Sequence, residues 1–243
     1  MLSFLTYCHF MQIHPPLPGS KRDRTRDQIL AAAQALLLDA KGGQPGISTI
    51  AARAGVVHGT FYNYFDDVPA LLAEIEKLIT AAHAASIAPL IAGVDDPSLR
   101  FARITRFALG AIAARPEIGR LMFDAGLPAD GLSRGLRASL ASDIEEGIAR
   151  KIFRASNAAL AASIVAGAIQ GLAIDLYRGA LARAAIDEAV ASLLAFLGVP
   201  PARARKLATE KIALPVMPAL PLGWLNITAA PPASPKPGKR SRT

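Results

Sequence analysis

Cysteine is nearly absent from this chain: Cys8 is the single thiol in 243 residues, so no disulfide can form within it. Histidine is almost as sparse. His9, His14, His58 and His83 are scattered without the spacing that a zinc site needs, so neither a metal nor another cofactor is expected. Runs of β-branched residues with strand alternation are missing, which argues against a sheet. There is no glycine-rich phosphate loop and no spacing that pairs a nucleophile with a base, so an enzyme is not expected. The apolar stretch Met1–Gln12 lacks a preceding basic region and is not read as a signal peptide; a cytoplasmic, metal-free protein is the expectation.

An excess of either charge is also lacking over most of the chain. The formal net charge is +8, but residues 200–243 carry eight Lys/Arg against Glu210, which leaves residues 1–199 at +1. Overall basicity therefore says little about a polyanionic partner, and any such case rests on a local motif.

What is abundant is alanine, with apolar residues recurring at three- and four-residue spacing from about Thr25 to Leu197. That pattern predicts an all-α protein. A first helix is expected over Asp23–Ala40, ended by Lys41-Gly42-Gly43-Gln44-Pro45-Gly46. Ser48 or Thr49 is expected to cap a short helix through Ala54, with Gly55 as the break and a second short helix over His58–Phe65. A longer helix starts at Asp66 or Asp67 and runs towards Ala92, and Gly93–Pro97 is a turn. Later breaks are expected at Arg115-Pro116, Gly126–Gly131, Ser156-Asn157 and Gly179–Ala185. The resulting division is an extension over 1–20 expected to be disordered, a small helical unit over 21–92, a larger one over 97–199, and a Pro-rich basic tail over 200–243. That tail is expected to be largely disordered beyond a short helix near Pro201–Ile212.

The informative stretch is Ser48–Phe65, centred on two short helices about a glycine turn, which is the helix-turn-helix unit over about 47–66. Ile50, Ala51, Ala54, Val56, Phe61 and Phe65 supply an apolar seam. His58, Thr60, Tyr62, Asn63 and Tyr64 are left to face outward. Aromatic, hydroxyl and amide groups at the start of such a helix suit base edges and phosphate oxygens, and backbone N–H groups near Gly59 and Thr60 suit a phosphate.

In order and spacing, Ile50-Ala51, Ala54-Gly55-Val56, Gly59-Thr60-Phe61-Tyr62 and Tyr64-Phe65 resemble the DNA-binding domain of the TetR/AcrR family of regulators. The resemblance spans about Arg24–Leu72, including Gln28-Ile29-Leu30-Ala31-Ala32-Ala33. It implies a helix-turn-helix domain of the first helices, followed by a helical ligand-binding and dimerisation domain. It further implies a cytoplasmic homodimer that binds double-stranded operator DNA, usually as a repressor released by a small-molecule effector. It also implies that Thr49, Thr60, Tyr62 and Tyr64 contact phosphates or bases, and that His58, Gly59 and Asn63 face bases. Val57 and Val68 stand where the family often has a hydroxyl residue and a lysine, and the loop Lys41–Ile47 is slightly long. Lys21-Arg22-Asp23-Arg24 or Lys239-Arg240-Ser241-Arg242 are candidate arms to make up for lost phosphate contacts.

In the second unit, Phe101, Ile104, Phe107, Leu121, Met122, Phe123 and Tyr177 are candidate pocket residues for an apolar or weakly polar effector, and Arg103, Arg106, Arg120 or Asp175 would complement a charged one. Residues 158–174 hold no charge, long enough to raise a membrane span. Gln170, Ser163 and the many alanines favour instead a helix buried between subunits, so no membrane is expected and the homodimer interface is placed over about 157–197. The competing expectation is a helical dimeric interaction or membrane-associated module that has lost specific DNA binding.

Overall fold

The computed structural model describes residues 20–39, 44–125, 127 and 129–223. All of the expected extension over residues 1–20 but Ser20, part of the loop after the first helix, part of the Gly126–Gly131 break, and the tail beyond Gly223 lie outside the described residues.

Among the described residues every regular element is helical, as the apolar spacing predicts. Helix α1 spans Lys21–Leu38 and starts two residues earlier than Asp23 because Ser20 caps it. The Ser20 hydroxyl accepts from the Asp23 N–H at 3.0 Å, and the Asp23 carboxylate accepts from the Ser20 N–H at 3.3 Å, which satisfies two orphan donors at once. The basic stretch Lys21–Arg24 is therefore the first turn of a helix and not an arm. Helix α2, Ile47–Ala54, begins at Gly46 with no side-chain cap, so Ser48 and Thr49 sit exposed within its first turn instead of capping it. Gly55, at φ +69°, closes it; a side chain there would strain the left-handed backbone. Helix α3 is a single turn, His58–Phe61, shorter than the expected His58–Phe65, and the chain continues through turns to Phe65.

Helix α4, Val68–Ile91, is capped by Asp67, whose side chain accepts from the Ala70 N–H at 2.7 Å. Its first half packs with α1–α3 around Ile29, Leu30, Ile50, Phe61, Leu71 and Ile75, all fully buried. Its second half packs on α5, Pro97–Ala114, after the turn at Gly93. The turn lies where the sequence places a boundary, but the buried core runs through it without a gap.

Helix α5 is the axis of the second unit, touching α6 (Pro116–Gly119), α7 (Ala129–Ala149), α8 (Ala158–Arg178), α9 (Ile186–Phe196) and α10 (Pro201–Ala208). A π-helical turn, Arg120–Asp124, follows α6, and Asn157 caps α8 through the Leu160 N–H at 2.9 Å. Among the described residues α8 is the one helix long and apolar enough to cross a membrane. One of its faces, through Ala161, Ala162, Val165 and Ala166, is buried in the chain's own core.

The tail departs from expectation. Helix α10 is present, but residues 209–223 also lie packed along the body, with Met217 and Leu222 buried. Their burial is made by α1 and α5, elements more than 100 residues away in sequence, so composition alone misreads them as solvated.

Candidate nucleic-acid interface and sensor core

The interface is assembled by what the core does with one ring. Phe61 is fully buried in the core, and Phe65 lies against it with ring centroids 5.7 Å apart. With Phe61 pointing inward, its neighbours on and just after the single turn are left outward: His58, Gly59, Tyr62 and Asn63 are exposed and Thr60 is half-buried, while Thr49 is exposed on α2. Tyr62 is 51% exposed and Val57 73%, an apolar and aromatic edge left in solvent beside a buried core. The His58 ring meets Tyr62 edge-on at 5.5 Å, so the two aromatic groups brace each other on the surface. A Cβ built on Gly59 would meet no atom within 4 Å, so the absence of a side chain there serves nothing inside the chain.

Two expected residues sit differently. Tyr64 is half-buried, with the Arg22 guanidinium 5.7 Å from its ring centroid. The Thr60 N–H, offered by the sequence as a phosphate donor, is already given to the Val57 carbonyl at 2.8 Å. Arg22 itself joins the site, since it also donates to the Asn63 carbonyl at 3.4 Å. Its position in the first turn of α1 was visible in the sequence, but its pairing across 41 residues was not. The unit over 21–92 carries seven Lys/Arg and seven Asp/Glu, so it has no net formal charge to attract a polyanion in bulk.

The candidate sensor residues are brought together only in part. Phe123 and Tyr177 meet at 6.0 Å beside the π-helical turn, and the Tyr177 hydroxyl donates to Asp124 Oδ2 at 2.5 Å, which raises its pKa. Tyr177 also covers Gly119 so closely that a Cβ there would lie 2.3 Å from its ring. Phe101, Phe107 and Leu121 are buried, while Ile104 and Met122 are half-buried. Phe107 stacks on His83 of α4 with centroids 5.3 Å apart, a pairing the sequence reading overlooked. Arg103 and Arg106, offered as partners for a charged effector, are engaged by Glu210 and Asp187, and Arg120 reaches the Leu38 carbonyl at 3.4 Å.

Burial pushes the His83 imidazole down from 6.5 to about 4. Between those values the unfolded chain binds the extra proton and the folded chain does not, so stability falls as pH drops from 6.5 towards 4. The expected loss is about 3 kcal/mol, with no further contribution below pH 4. Urea unfolding across this range checks it: His83→Gln should lose that part of the slope, and equal slopes in both proteins would contradict it.

No family model matches the chain, and a search of curated proteins finds no match in sequence. Solved structures do match. A structure of RolR in complex with the ligand resorcinol has a TM-score of 0.61 at 24% identity, covering 82% of this chain and 98% of that one. NalD, described as the secondary repressor of the MexAB-OprM multidrug efflux pump in Pseudomonas aeruginosa, has a TM-score of 0.57 at 18% identity, covering 72% and 97%. A TetR-family transcriptional regulator of Pectobacterium atrosepticum has a TM-score of 0.57 at 22% identity, covering 74% and 96%. The chain therefore has the fold of TetR-family regulators over nearly their full length.

Proposed function

We propose that this protein is a sequence-specific DNA-binding transcriptional regulator, a homodimeric repressor released from its operator by a small, uncharged, largely apolar effector. The observation that carries the reading is the exposed edge Val57–Asn63, held rigid by buried Phe61 and shaped as the second helix of a helix-turn-helix. His58, Tyr62 and Asn63 are the residues placed to touch base edges, with Thr49, Thr60 and Tyr64 flanking them on the backbone side.

Dimerisation is supported by α8 and α9. Leu160 is 59% exposed, Ile164 47% and Phe196 51%, and a Cβ on Gly167 or Gly171 would meet open space. A second copy laid against this face would bury that stripe and set two heads for two half-sites. An uncharged effector is supported by the prior commitment of Arg103 and Arg106. The effector site is assigned to the second unit's residues Phe101, Ile104, Phe107, Met122, Phe123 and Tyr177, of which Phe123 and Tyr177 are in ring contact. The neighbours' printed roles, a repressor and a protein in complex with the ligand resorcinol, support the reading of a ligand-responsive repressor.

Gly59→Ala tests the interface with little risk to the fold. The new methyl group meets nothing in the protein, and alanine favours helix over glycine by about 0.5–1 kcal/mol, so stability should hold or rise. Affinity for DNA from beside the coding region, read by fluorescence anisotropy against a scrambled duplex, should fall about tenfold if a backbone or base edge approaches Gly59. A wild-type protein that binds both duplexes equally would instead favour an interaction module without specific DNA recognition.

A further inference from the structure

We infer that Gln34 is a positioning residue for the DNA-reading head, acting through residues 210–223 as a strap that ties the head to the sensor bundle. The strap is fixed at three points on α5 and its C-terminal cap. Arg103 donates to both Glu210 carboxylate oxygens, at 3.0 and 3.1 Å, and also to the Leu90 carbonyl of α4 at 2.9 Å. Arg106 donates to the Glu210 carbonyl at 2.6 Å. Arg115 donates through one nitrogen to the carbonyls of Met217 and Pro218, at 2.8 and 2.9 Å. The hydrogen bonds from Arg103 hold the Glu210 carboxyl below its ordinary pKa, so this anchor stays charged at neutral pH.

The chain then crosses to the head. Gln34, fully buried on α1, donates to the Leu222 carbonyl at 2.6 Å and accepts from the Leu222 N–H at 2.8 Å. Both groups of one backbone residue are thus satisfied by one side chain, 188 residues away, in the manner of a strand pair. Leu222 itself is fully buried, and Gly223 comes so close to α1 that a Cβ there would lie 2.6 Å from Asp27 Oδ2. A polar amide in an otherwise apolar helix face has no packing advantage over leucine; the pair of bonds to the strap accounts for it.

Head and bundle also meet through α4, which is one helix through both, and through the packing of α1 on the π-helical turn, where Arg120 reaches the Leu38 carbonyl. The strap adds a hydrogen-bonded tether on α1 that restricts bending and twist of the head further. The strap therefore fixes where the recognition turn points relative to the bundle. The inference depends on the regulator reading only in calling the first unit DNA-reading; the tether itself is a claim about this chain without DNA.

The test measures orientation in the full-length protein. In a Cys8→Ser background, spin labels at Arg53→Cys on α2 and Glu145→Cys on α7, both exposed sites, report the head-to-bundle distance when labelled chain is diluted with unlabelled chain. The expected result is a narrow distribution in the parent that broadens about twofold in Gln34→Leu, since loss of a tether raises local opening. A stop after Pro218 should broaden it equally while keeping the three arginine anchors, and a stop after Gly223 should leave it narrow. An unchanged width in folded Gln34→Leu overturns the inference, as does broadening by the stop after Gly223; if Gln34→Leu fails to fold, the stop after Pro218 decides alone. Loss of DNA binding in every protein, parent included, would overturn the regulator reading and leave the distance result standing.

Discussion

Ile164→Asp should convert the protein to a monomer and weaken operator binding on the order of 100-fold, because the second half-site is then no longer held at high effective concentration. In the single chain Ile164 is 47% exposed and touches solvent beside Leu160, so a carboxylate there meets water and helix content should be preserved. In a dimer packed through α8 the same carboxylate is buried in an apolar interface, where an unpaired charge is costly. Sedimentation velocity with circular dichroism separates the outcomes: monomer with unchanged helicity supports the interface, and an unchanged dimer would move it elsewhere.

Tyr62→Ala is the second large effect. The ring is half exposed and meets the rings of His58 and Phe61 edge-on, at 5.5 and 5.7 Å, so stability should change by less than about 1 kcal/mol. If each ring contributes about 1.4 kcal/mol to DNA, two copies in the dimer give a 100-fold loss of specific affinity. Nonspecific affinity at low salt should change far less, since the side chain carries no charge. Equal loss on specific and scrambled DNA would mean that Tyr62 supports the fold of the turn and does not read the operator.

The head was legible in the sequence because what defines it is local. Gly55 is needed at a positive φ between two short helices, Phe61 and Phe65 mark the buried side, and the outward set follows from their spacing. What failed there was length: α3 stops at Phe61, and Tyr64 turns beneath Arg22, a contact no local pattern encodes. The capping of α2 by Ser48 or Thr49 failed for a similar reason, since Gly46 takes that position after a loop whose geometry is not written in helical spacing. Residues 213–223 of the tail were misread for the opposite cause. Their prolines look solvated, and distant partners, Gln34, Arg103, Arg106 and Arg115, make 210–223 part of the body.

The second unit was legible as helical bundle and no further. Its apolar residues carry ordinary core spacing, so spacing cannot say which of them face a ligand. The arginines illustrate this: in sequence Arg103 and Arg106 are free cations on a helix, and in the fold they are anchors for Glu210 and Asp187. The stacking of His83 on Phe107 was equally silent, because nothing in the composition of α4 distinguishes a surface imidazole from one held at about 4 by burial.

The most direct test of the central claim is a hydroxyl-radical footprint of the full-length protein on the DNA adjoining its coding region. The account predicts two protected segments about one helical turn apart, ~34 Å, related by a two-fold axis and lost together in Tyr62→Ala. Protection that is absent at low salt, or that persists unchanged in Tyr62→Ala, would contradict it.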